Sequence, residues 1–282
     1  MALRATGRRH FAAPVRVASA GAGPVLGDAY AVPFQISREE ARSAVHAWHR
    51  GNRMSPVTFL DSDRSGRLLR SAYVPFYVFE AKTGRIEFSG EVGRSRLRRR
   101  FDSSSNTYKQ VLVTSWTPSG LYYTDGSTYA STEGHMQMYA SYQHRLDDMA
   151  VLKGEHVASA VPYMETDMIS GKHSVEPVMM PAGLAYDSIK EYVMAGEEEA
   201  ANEYIKSYHQ ADAVQSVQLK LNDLVFSMKT VYMPVFIDEI YILGNAFNVY
   251  INGVNASVRS PRLYSSLKVP LNDFYCILLT RL

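Results

Sequence analysis

The segment that most restricts the fold is one the chain uses twice. Tyr73-Val74-Pro75-Phe76-Tyr77-Val78-Phe79-Glu80 aligns with Tyr232-Met233-Pro234-Val235-Phe236-Ile237-Asp238-Glu239. Both stretches are apolar and rich in β-formers, and both place proline third. Proline has no N–H to give a ladder, so inside an apolar strand it belongs at a strand start, an edge or a bulge. Each segment follows a helical pattern at some distance. Each also precedes a second strand with an aromatic residue and a glycine near its end, Phe88-Ser89-Gly90 and Tyr250-Ile251-Asn252-Gly253. The pattern predicts an α+β fold: an antiparallel sheet built from two related helix-then-hairpin halves, about 30–116 and 187–268, with long irregular connections. Chance likeness between two apolar strands is the competing explanation.

The flanking segments fit that outline. Ser37-Arg38-Glu39-Glu40 has the form of a capping box, and Ala41, Ala44, Val45 and Trp48 follow at helical spacing. Asp187 to Tyr208 reads as a second helix, interrupted or restarted at Gly196 and Glu197-Glu198-Glu199. Thr83-Gly84 reads as a turn that brings Ile86 to Val92 back as the partner of Tyr73 to Phe79. Tyr108 to Trp116 and Val214 to Lys229 read as strands. Val231 to Ile242 and Ala246 to Val254 form a hairpin through Gly244-Asn245. Residues 117–134 read as loop or short hairpin, and 151–186 as an irregular wrap. Residues 30–282 are expected to form a single α+β domain.

With 282 residues, 46% of them apolar and 21% charged, the chain can bury a core without a staple. Its single cysteine, Cys276, excludes an internal disulfide and any multi-cysteine metal site. A net charge of +2 is too balanced for a protein whose main task is to coat nucleic acid. No apolar run reaches the length of a membrane-spanning helix. Residues 1–29 differ in kind. Arg4, Arg8, Arg9 and Arg16 stand among Ala, Ser and Gly, and the first carboxylate is Asp28. That is the composition of a mitochondrial transit segment, since acidic side chains oppose potential-driven import; a flexible basic arm is the alternative.

Several segments, in order, carry a likeness to a known family. Val32-Pro33-Phe34, the helix from Ser37 to Trp48, Pro56 and Tyr73-Val74-Pro75-Phe76 come first. Trp116-Thr117-Pro118-Ser119-Gly120, Val161-Pro162-Tyr163, Ser170-Gly171, Glu176, the helix around Ala200 to Ile205, Tyr232-Met233-Pro234-Val235, Asn252-Gly253 and Lys268 follow. Over about residues 30–268 the chain resembles the core of the bacterial primosomal-protein-N′-like, zinc-ribbon-containing family of unknown function. The resemblance implies an α+β core and no catalytic residue. The family's zinc ribbon and membrane segment have no counterpart in this sequence, and no helicase motif is visible.

Motifs that would announce chemistry fall short. Asp61-Ser62-Asp63-Arg64-Ser65-Gly66 imitates a calcium loop, but its twelfth position is Ala72 rather than a bidentate Glu. Gly21 to Gly27 lacks dinucleotide-loop spacing, and Gly171-Lys172 is followed by His173 instead of Ser or Thr. His46 and His49, at i and i+3, make half a metal site and fit a solvated or partner-facing helix surface better. Asp147-Asp148 fits a solvated loop. The strong charge feature is Arg94, Arg96, Arg98, Arg99 and Arg100, of which the alternating members would line one face of a strand. A solvated hairpin end, an anionic-lipid contact and an RNA phosphate contact are all open for it.

These features predict no catalytic, cofactor or metal residue and no cofactor. They lead to the expectation of a non-catalytic accessory subunit of a mitochondrial inner-membrane energy complex, ATP synthase or a respiratory-chain complex. Its expected partners are other subunits of that complex, with a possible role for anionic lipid. A mitochondrial ribosomal protein, which would meet RNA, is the alternative. An enzyme whose site uses scattered residues is the third.

Overall fold

The computed structural model describes residues 29–51, 69–104, 106–163, 173–242 and 245–260. The basic N-terminal segment, the calcium-loop look-alike, Gly171-Lys172 and Cys276 lie outside them. In chain order the elements are β1 (Ala29–Ala31), α1 (Arg38–Gly51), β2 (Arg70–Thr83), β3 (Ile86–Asp102), β4 (Thr107–Thr124), β5 (Thr128–Tyr129), β6 (Gln137–Tyr139) and the short α2 (Leu146–Met149). They continue as β7 (Val161–Pro162), β8 (Ser174–Val175), α3 (Ala182–His209), β9 (Ala213–Leu221), β10 (Leu224–Ile242), β11 (Asn245–Asn252) and β12 (Val258–Arg259). Strand outweighs helix and most pairings are antiparallel, which is the expected α+β class. The chain divides into two compact units.

The core unit comprises 22–78, 131–186 and 229–282. In it the two proline-bearing segments have matching neighbours. Parallel β8 runs beside β2 (Tyr73↔Val175), and parallel β1 beside β10 (Ala31↔Tyr232). Glu176 N–H donates to the Tyr73 carbonyl as Val32 N–H donates to that of Tyr232. Antiparallel neighbours follow: Phe76↔Tyr139 from β6 and Val235↔Asn252 from β11. Ala140 N–H donates to Pro75 O, and Gly253 N–H to Pro234 O. Even the turns agree: Met179 and Met180 N–H meet Ala140 O, as Gln35 and Ile36 N–H meet Gly253 O.

The prolines explain this arrangement. In a parallel ladder the residue whose N–H reaches carbonyl i also accepts from N–H i+2. At i+2 stands Pro75 or Pro234, which has no N–H, so the parallel strand ends there and Pro177 or Pro33 carries it off into a helix. The proline carbonyl is then taken by the antiparallel strand. The sequence predicts each proline at a strand start, an edge or a bulge, and neither sits there; each lies inside a long strand and marks the hand-over between two neighbours on one side of it. Residues i and i+2 point to the same edge, so β2 and β10 keep their other edges for each other, and they pair.

The expected first hairpin is corrected. Ile86 to Val92 does not return beside Tyr73 to Phe79; β2 belongs to the nine-stranded sheet and β3 to a separate three-stranded one. The true counterpart of β11 is β6, reached only after the excursion through β3 and β4. Alternate residues Val74, Phe76 and Val78 of β2 join Val231, Met233, Val235 and Ile237 of β10 in the main core, with Tyr139 and Tyr250. On the opposite face Phe236, Val249 and Ile251 receive Ala41 and Val45 of α1. The predicted capping box forms: Glu40 N–H donates to Ser37 Oγ at 3.1 Å, and Ser37 N–H to Glu40 Oε2 at 2.7 Å.

The hairpin unit contains 79–130 and 187–228. β3 pairs antiparallel with β4 on one side and β9 on the other, with a bulge at Ser89/Glu91 in both ladders. Ile86, Phe88 and Val92 pack with Ala201 and Ile205 of α3. Two readings change here. Residues 117–124 are strand, not loop, because β4 runs unbroken to Thr124. And α3 passes through Gly196 to Glu199 without a break. The Gly196 position faces Tyr129, whose hydroxyl would lie 2.8 Å from an added Cβ. Glu197 is buried, accepting from Thr83 Oγ1 at 2.7 Å and from Ser127 N–H and Oγ.

Candidate interaction surface

β9 stops pairing with β3 at Gly93↔Ala213. Asp212 closes that edge, its N–H donating to Gly93 O and its carboxylate accepting from Ser95 N–H at 2.6 Å. Beyond it, among the described residues, Arg94 to Asp102 pair only with Thr107 to Ser115, a two-stranded ribbon of about 30 Å at ~3.3 Å per residue. Directly opposite residues share a face and successive residues alternate. Arg94, Arg96, Arg98 and Arg100 therefore line one face, opposite Ser115, Val113, Val111 and Lys109. The fifth arginine, Arg99, lies on the other face opposite Gln110. All five are exposed. At the tip Lys109 pairs with Asp102.

The other face was not foreseen. It carries Trp116, the cross-strand pair Leu97↔Leu112 and the pair Phe101↔Tyr108, whose rings meet edge to face at 5.2 Å. Leu97 is 65% exposed, Leu112 63% and Tyr108 72%. Gly93 lies beneath Trp116, whose ring would stand 2.7 Å from an added Cβ. The signal was present in the sequence: with β3 and β4 in register, the apolar residues that alternate with the arginines fall opposite Leu112 and Tyr108. It was missed because only one of the two strands was read for its faces.

A second cluster lies in the core unit. Tyr139 O–H donates to Glu176 Oε2 at 2.8 Å, His144 Nε2 lies 2.7 Å from Glu176 Oε1, and Tyr250 Oη lies 3.0 Å from His144 Nδ1. Burial raises the Tyr139 phenol far above its ordinary range, and donation to Glu176 raises it further, so Tyr139 stays a proton donor. Tyr250 is likewise raised, chiefly by burial. Each carboxyl oxygen of Glu176 thus has a partner, as a buried polar group requires. No spacing in the sequence joins these residues.

Of the two histidines of α1, His46 is partly exposed and His49 differs from the expectation. His49 is buried rather than solvated, and burial, aided by His46, lowers its imidazole to about 4. Asp147 is exposed, but it and the half-buried Asp148 lie in the short helix α2 and not in a loop. Among the described residues no group of three or more His, Cys, Asp or Glu could hold a metal, and no helix is long and apolar enough to cross a membrane. No family model, curated protein or solved structure matches the chain.

Proposed function

We propose that this chain is a non-catalytic accessory subunit of a mitochondrial inner-membrane energy complex, ATP synthase or a respiratory-chain complex. The observation that supports it most is the ribbon of residues 94–116. Among the described residues it extends past the third strand of its sheet with its leucines exposed, and an exposed apolar surface on a two-stranded stretch favours a partner that covers it. The Arg-rich, acid-free start of the sequence supports the mitochondrial address. The ribosomal alternative draws on the same arginines, whose ~6.6 Å repeat along a strand suits a phosphate backbone. Against it, the ribbon's six cations and one carboxylate give +5, which leaves −3 for the rest of a chain whose total is +2. Among the described residues, the enzyme alternative draws on the Tyr139–Glu176–His144–Tyr250 chain.

Native electrophoresis of solubilised mitochondria, followed by mass spectrometry of the bands, tests the proposal. It predicts co-migration with the ATP synthase or a respiratory complex, unchanged by ribonuclease. Release by ribonuclease, or co-migration with the ribosome, overturns it.

A further inference from the structure

We infer that the 94–116 ribbon lies in the interface of an anionic bilayer, its Leu97/Leu112 face toward the acyl chains and its arginines among the phosphate head groups. This deepens the assembly reading by naming what the ribbon touches. Three features carry it. First, the ribbon exposes apolar bulk and cations together, with the leucines and rings on one face and four of the five arginines beside Val111 and Val113 on the other, and a bilayer interface offers hydrocarbon and anionic groups within one partner. Second, the apolar face is graded. Its centre is the aliphatic pair Leu97↔Leu112, with Trp116 toward one end and Phe101↔Tyr108 toward the other. Trp and Tyr are enriched at the membrane–water interface, so Trp116 and Tyr108 suit a ribbon that lies in it. RNA would satisfy the arginines and stack on the aromatics but leave the two leucines, 65% and 63% exposed, without an apolar partner. Third, the ribbon is one of two cationic stretches: it holds +5 and the N-terminal segment before Asp28 holds +4, against −7 for the rest of the chain, so part of the attraction acts where the apolar face is. Arg99, alone among the arginines on the apolar face, can run its stem along that face and keep its guanidinium at the head groups.

The test uses the full chain in a Trp48→Phe background, so that Trp116 is the sole tryptophan. Vesicles of phosphatidylcholine alone are compared with vesicles of phosphatidylcholine and cardiolipin, with and without brominated acyl chains. The expected result is flotation with the cardiolipin vesicles only, weakened by salt, with Trp116 emission quenched by bromine. Quenching at Trp116 separates this contact from any made by the basic N-terminal residues. Arg96, Arg98 and Arg100→Gln together should weaken binding on the order of 100-fold, at about 1 kcal/mol per arginine near an anionic surface. Leu97→Ser with Leu112→Ser should abolish the quenching. Circular dichroism should show all variants folded, since the changed residues are exposed.

Trp116 left unquenched, or the arginine variant floating like the parent, overturns the inference. So does single-stranded RNA binding through the same arginines while cardiolipin does not. If the vesicles are not bound but the chain still co-migrates with an inner-membrane complex, this inference falls and the assembly reading stands. If the vesicles are bound but the chain migrates free, the reverse holds.

Discussion

Gly93 shows how one residue ends one structure and starts another. The three-stranded sheet stops there because Asp212 occupies its edge, and the ring of Trp116 lies where a Cβ would be. Gly93→Val should force that ring away and cost about 1–3 kcal/mol, as overpacking does. Urea unfolding with Trp116 emission in the Trp48→Phe background checks both effects; a variant with parental midpoint and emission contradicts the packing. His49 works through burial. Its imidazole is lowered to about 4 from an ordinary 6.5, so between those values the unfolded chain binds more protons than the folded one. The stabilisation is complete above about pH 6.5 and is lost as the pH falls toward 4. His49→Leu should flatten that part of the stability profile in urea melts at pH 7 and pH 5; an unchanged slope rules His49 out as its source. The sequence marks His49 only as a neighbour of His46. Its burial becomes visible once α1 is seated on Phe236, Val249 and Ile251.

At the scale of the element, the long hairpin was half legible. The five arginines announced a strand, and Tyr108 to Trp116 announced its partner. The assignment of β3 to β2 followed from their closeness in sequence, a sound prior that a separate sheet overrides. Continuation of β4 through Thr117-Pro118-Ser119-Gly120 was hidden by turn-forming residues. They are accommodated where the ladder is already bulged: Gly120 has a φ of +90°, and Ser119 Oγ accepts from Gly90 N–H at 2.9 Å. Glu197 on α3 misled in the same way. A run of three glutamates looks like a helix start, and only Thr83 and Ser127 show that one of them is buried. Because no third strand among the described residues pairs with the ribbon past Gly93, its removal should spare the fold. Joining Ser95 to Thr114 through Asn-Gly, a two-residue hairpin turn, should leave the thermal midpoint within a few degrees of the parent. The same deletion should remove the chain from its complex. Collapse of the fold on deletion would contradict the view of the ribbon as an arm.

At the scale of the whole molecule, the repeated Tyr-x-Pro segment was the right place to begin, and its boundaries were the wrong ones. The related neighbourhoods span β1, α1, β2 and β6 in one half, and β8, α3, β10 and β11 in the other. Ala41 and Val45 in α1 have buried counterparts in Ala185 and Ile189 of α3, each 144 positions later. The halves also exchange strands, β1 going to β10 and β8 to β2, which no alignment of segments could show. One difference between halves is chemical: Val32 in the first corresponds to Glu176 in the second, and the polar cluster of Tyr139, His144 and Tyr250 surrounds that substitution. Exchange predicts that neither half is stable alone. A chain cut after Tyr163 should give two fragments without cooperative melting, and mixing them should restore it, as followed by circular dichroism. Independent folding of either fragment would contradict the exchange.

The attachment of the chain through its amphipathic ribbon is tested most directly by native electrophoresis of mitochondria expressing either the parent or the Arg96, Arg98 and Arg100→Gln variant. Exposed arginines contribute about 0–1 kcal/mol per ion pair to a chain's own stability, so the variant should fold and accumulate. The parent is predicted to run within an ATP synthase or respiratory-chain band, and the variant to be depleted from that band and to run free. A variant that stays in the band at parental level contradicts the account, as does a parent that runs free.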